Sequence, residues 1–144
     1  MRRRPARRHS NEEFPLLFSR IVLLIQIAAL VLLGLAYFIR PEEMASFSGA
    51  LLMSGAAVTE VRAFYGGLQL GLAAFLAMAL LRLDLLRPAL TLLVLLYSAL
   101  AVARIGGLWL DGGAQQTFNL YALLLELVSA GLAWWALRGI QRGN

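Results

Sequence analysis

The chain has 144 residues, 60% hydrophobic and only 15% charged, with a mean hydropathy of +0.75. Soluble domains carry about 45–50% apolar and about 25% charged residues, and so small a chain has too little interior to bury the surplus, so an ordinary soluble globule is excluded and a bilayer is expected. All 13 basic residues are arginine, the net charge is +5, and most of that excess lies in the opening MRRRPARR, which suits a membrane surface better than nucleic acid.

In chain order, residues 1–15 read as a basic cytoplasmic tail and 16–138 as a transmembrane domain. Spans are expected at about 16–39, 62–81, 88–110 and 117–137, since about 20 helical residues cross the apolar core of a bilayer. The first follows a basic segment, as a signal peptide would. However, the stretch after Arg20 is apolar apart from Gln26, and no convincing cleavage site follows, so an uncleaved span is expected. The stretch 41–61 is too rich in Ser and Gly to span. Met44, Phe47, Leu51 and Val58 share a helical face there, predicting a short interfacial or re-entrant helix, with an ordered capping loop as the alternative. The 82–88 link reads as a tight turn with Pro88 in the first turn of span three, and 111–116 as a glycine-rich turn. Residues 139–144 form a short tail. The fold expected is an all-α integral membrane bundle of four transmembrane helices.

Orientation follows from arginine placement. With the N-terminus inside, Arg2, Arg3, Arg4, Arg7, Arg8, Arg82, Arg87, Arg138 and Arg142 are cytoplasmic, against Arg40, Arg62 and Arg104 on the other side. Both termini are therefore expected in the cytoplasm.

Polar groups within the spans are the candidates for function, because a polar group in lipid is costly unless it is paired or wet. In span two, Ala63, Gly67 and Gly71 recur every fourth residue, a small-residue ridge for helix packing, with Gly66 beside it. Arg62, Tyr65, Gln69 and Ala73 form a second stripe. Span four carries Asn119, Ala122, Glu126, Ser129, Ala130 and Ala133. Glu126 falls near the midplane, about 13.5 Å from the outer end, and Arg104 of span three about 9 Å from it, so a long guanidinium stem could bridge them. Tyr97, Ala101 and Arg104 share a face. These positions suggest an outward-facing cluster of Glu60, Arg62, Tyr65, Gln69, Arg104, Asp111, Asn119 and Glu126. The alternative is a set of ion pairs that only fix helix register.

No cofactor or metal is expected. The chain has no cysteine and its single histidine, His9, sits in the basic tail; no phosphate-binding or nucleophile motif occurs, and no serine has a histidine partner. No catalytic residue is expected.

Three elements together carry a family resemblance: Glu60-Val61-Arg62-Ala63-Phe64-Tyr65-Gly66-Gly67, the stretch from Arg104 through Gly106, Gly107 and Asp111 to Gly112, and Glu126 in the last span. The chain resembles a bacterial family of four-span membrane proteins known as domain of unknown function 4345, over roughly residues 18–138. The resemblance implies an inner-membrane, four-helix protein with no assigned activity. Arg62, Tyr65, Gly66, Gly67, Arg104, Gly106, Asp111, Gly112 and Glu126 match its motif positions.

Three functional readings follow. The first is an outward-facing polar site for a small solute, ion or proton. The second is an accessory subunit that docks another copy or another membrane protein through small-residue faces. The third is a membrane-embedded enzyme acting on a lipid or quinone. The lipid bilayer is the expected partner in all three.

Overall fold

A computed structural model describes residues 8–112 and 116–142. Its elements are α1 (Arg8–Ile39), α2 (Pro41–Ser46), α3 (Gly55–Val61), a π-helical turn (Arg62–Gly67), α4 (Leu68–Leu81), a 3₁₀ turn (Leu83–Leu85), α5 (Leu86–Asp111) and α6 (Thr117–Arg142). Among the described residues the chain consists of helices joined by turns and short irregular links, with no strand. Four helical stretches, Phe14–Ile39, Gly55–Leu81, Leu83–Asp111 and Thr117–Gln141, are long and apolar enough to cross a membrane. The structure is thus the all-α four-helix bundle expected from the sequence.

Helix α1 reaches back to Arg8, into the stretch expected as a tail. Residues 1–7 of that tail, the centre of the 111–116 turn and the last two residues lie outside the described residues.

The largest departure is at 41–61. Met44, Phe47, Leu51 and Val58 do not share one helix. Pro41–Ser46 forms a six-residue helix, and the turn that follows it closes at Gly49, whose φ of 79° lies in the left-handed region a glycine adopts without cost. Chain without regular structure follows, and a new helix begins at Gly55, where the Ser54 hydroxyl accepts from the Ala57 N–H at 3.2 Å. From that cap the backbone runs helically through Leu81, so the second spanning stretch starts seven residues before 62.

The π turn interrupts this helix at Arg62–Gly67, with the Leu68 N–H reaching back five residues to the Ala63 carbonyl. The wider turn carries an extra residue, which rotates everything before it relative to everything after it.

Helix α1 lies between the α3–α4 helix and α6, and α5 lies along α6; α4 and α5, although consecutive, share only a small interface. The core gathers Val22, Leu23, Leu76, Leu90, Leu93 and Ala133 with further leucines and alanines. These six belong to the half of the bundle that holds the chain termini, while Leu30 extends the core past Gln26. Lipid is as apolar as leucine, so close packing rather than water exclusion must hold such a core. Ala79, Ala89, Ala133 and Ala136 accordingly sit at the contacts, each at most 1% exposed. Backbones meet most closely at Gly34 and Gly66. A Cβ on Gly66 would stand 3.1 Å from the Phe38 nitrogen and 3.2 Å from the Gly34 carbonyl oxygen.

A polar site between α5 and α6

Toward the end of the bundle that holds the 111–116 turn, polar side chains gather between α5 and α6. Glu126 projects from α6 and its side chain is only 8% exposed. Arg104, on α5, meets it from the side. Its Nε donates to both carboxylate oxygens at 3.1 and 3.0 Å, and its Nη2 donates to Oε1 at 2.7 Å. The guanidinium's Nη1 donates to Asn119 Oδ1 at 2.7 Å, and Asn119 Nδ2 donates to Gln116 Oε1. The antiparallel neighbours α5 and α6, joined by a short turn, bring these positions level. A two-pronged guanidinium–carboxylate contact is the strongest neutralisation available to either charge in a low-dielectric setting.

Arg104, Gly107, Leu108, Asp111, Gln116 and Asn119 line a cavity of about 220 Å³ above this pair. Asp111 is exposed at its rim and forms no ion pair among the described residues. Its carboxylate turns back along α5: a Cβ on Gly107 would stand 3.6 Å from Oδ2.

Below the pair runs a second network. Tyr97 of α5 donates to Gln26 Oε1 on α1, and Gln26 Nε2 donates to Ser129 Oγ on α6 at 3.0 Å. Gln26 is 5% exposed, so these bonds satisfy an amide that would otherwise be stranded. Beyond Gln26 the interior is closed by Leu23, Leu76, Leu90 and Leu93, none more than 1% exposed, and the one buried polar side chain further on, among the described residues, Ser19, donates to the Pro15 carbonyl at 2.7 Å.

The expected cluster is thus only partly assembled. Arg104, Asn119 and Glu126 are joined, with Asp111 across the cavity. Glu60 and Arg62 are exposed and make no hydrogen bond or ion pair through their side chains among the described residues. Tyr65 instead stacks on Tyr37 of α1, ring centroids 5.2 Å apart. Gln69 is half-buried, and its Oε1 has no hydrogen-bond partner among the described residues.

Of the packing positions, Gly66 makes the close approach to another helix in this chain. Ala63, Gly67 and Gly71 are exposed, and a Cβ on Gly71 would meet nothing within 4 Å. Gln116 and Gln26 joined the networks without being expected there. Gln26 was detectable as the lone polar residue in the apolar part of span one, whereas Gln116, in a turn, gave no such signal.

The architecture defines an all-α protein of four membrane-length helices with a buried arginine–glutamate pair at one end. The chain belongs to the family described as domain of unknown function DUF4345, which matches residues 18–137. No curated protein and no solved structure matches it.

Proposed function

We propose that this chain is a multi-pass protein of a bacterial inner membrane, with both termini cytoplasmic. Its Arg104–Glu126 site then opens to the opposite face, where it receives a small polar solute, ion or proton. The observation that carries the reading is a charged pair held between α5 and α6 whose arginine, 24% exposed, lines a cavity. A pair needed only for register has no use for a cavity beside it.

The cavity is smaller than the roughly 300–1,000 Å³ of pockets for drug-sized ligands. The plug of Leu23, Leu76, Leu90 and Leu93 supports a site served from one side only. The arginine bias toward the end that holds the termini supports the orientation.

The chain has no cysteine, so single cysteines report without background. In intact cells, Leu108→Cys should react with a charged, membrane-impermeant thiol reagent and Ala133→Cys should not. An unreactive Leu108→Cys in a folded protein removes the reading. A reporter fused to the C-terminus should read as cytoplasmic.

A second reading, docking of a partner helix, is favoured by the open and exposed Gly71. It requires that Gly71→Leu dissociate an assembly while leaving the Leu108→Cys labelling unchanged.

A further inference from the structure

We propose that the ligand of this site is a small zwitterion, bound through an oxyanion at Arg104 and an ammonium group at Asp111. This rests on the outward-facing site proposed above and narrows what it takes.

Donor accounting comes first. A guanidinium carries five N–H groups. Glu126 and Asn119 engage Nε and one N–H on each of Nη1 and Nη2, three in all. Among the described residues two donors therefore remain on a side chain that lines the cavity, and an acceptor is what they call for.

Charge accounting comes second. Arg104 and Glu126 cancel, which leaves Asp111, without an ion pair among the described residues, and a formal charge of −1 on the side chains around the cavity. A simple anion would put a third negative group beside one guanidinium, at a high cost where water is scarce. A simple cation would satisfy Asp111 but leave both Arg104 donors unmet. A molecule carrying both charges meets both demands and leaves the net charge unchanged.

Helix ends reinforce this polarity. The cavity lies between the C-terminus of α5, which ends at Asp111, and the N-terminus of α6, which starts at Thr117. The first end favours a cation and the second an anion. Asn119 and Gln116 add amide donors and acceptors between the two poles.

The test uses Leu108→Cys reconstituted in phosphatidylglycerol vesicles, with the rate of thiol labelling as readout. Labelling without any additive is what the outward-facing site requires; its absence sinks that site and this inference with it. Given labelling, free glycine should slow the reaction at concentrations where acetate, methylammonium and their mixture do not. Asp111→Asn removes one charge-assisted hydrogen bond and should raise the glycine concentration needed by roughly tenfold or more. Asp111 is exposed, so this variant is expected to fold.

Two arms then separate the sources of the same chemistry. If the occupant is a free solute, glycine or phosphoethanolamine protects equally in phosphatidylglycerol and phosphatidylethanolamine vesicles. If it is a lipid headgroup, phosphatidylethanolamine itself slows labelling and abolishes the glycine effect. Glycine acting no better than the acetate–methylammonium mixture, or acting equally on Asp111→Asn, overturns the proposal. So does labelling that no zwitterion slows. Should Leu108→Cys fail to assemble, Gln116→Cys reports on the same cavity.

Discussion

Removing the Glu126 carboxylate tests the central pair most directly. In Glu126→Ala, Arg104 loses its contacts at 3.1, 3.0 and 2.7 Å and keeps only Asn119. Stranding one member of a fully buried ion pair costs about 3–5 kcal/mol. Two features reduce that here. Arg104 is 24% exposed beside a cavity, and it stands seven residues from the end of α5, about 10 Å at 1.5 Å per residue, within reach of an interface by snorkelling. Polar interactions between membrane helices are also modest, averaging about 0.6 and reaching about 1.7 kcal/mol in double-mutant cycles. The expected loss for Glu126→Ala is therefore about 1–3 kcal/mol. The assay is reversible unfolding in mixed micelles across the cycle of Arg104→Ala, Glu126→Ala and the double variant. A coupling of about 1–2 kcal/mol is expected, and additivity within about 0.5 kcal/mol refutes the pairing.

Gly66→Ala should destabilise by about 1–3 kcal/mol, since its Cβ would press on the backbone of Phe38 and Gly34, which cannot yield. Gly71→Ala should be neutral or stabilising by up to about 1 kcal/mol, because its surroundings are open and alanine favours helix; parallel thermal unfolding of the two variants checks the contrast. Gln26→Leu strands the Tyr97 hydroxyl and frees Ser129, and a loss of about 1 kcal/mol is expected in the same unfolding assay. Ser54→Ala removes the cap at the start of α3 and should cost about 1 kcal/mol, with hydrogen exchange rising at residues 55–58 and not in α5 or α6.

The Arg104–Glu126 pair was legible from counting alone. A short link forces spans three and four to be antiparallel neighbours, and the rise per residue then sets both side chains at comparable depth. Arg62 and Gln69, placed with the pair by stripe periodicity, stand apart from it because the π turn and α4 pack on α1 and α4 shares only a small interface with α5. The π turn at Arg62–Gly67 adds a residue between them and turns Arg62 and Glu60 out of line. Periodicity also suggested that Ala63, Gly67 and Gly71 make the packing ridge. Spacing identifies a face but not what lies opposite, and the face opposite α1 proved to be that of Gly66.

By itself, the sequence determined what depends on composition and local order. It set four apolar stretches of bilayer length, the turns between them, the arginine asymmetry and the few polar groups that must find partners or water. Those follow from the cost of polar groups in lipid, which each segment bears wherever its neighbours lie. The tertiary structure decided which partners they find: Asn119 and Gln116 completing the Arg104 shell, Gln26 joining Tyr97 to Ser129, and leucines closing the half of the bundle nearer the termini. Such choices depend on helix rotation and distance in three dimensions, and one π turn is enough to change them.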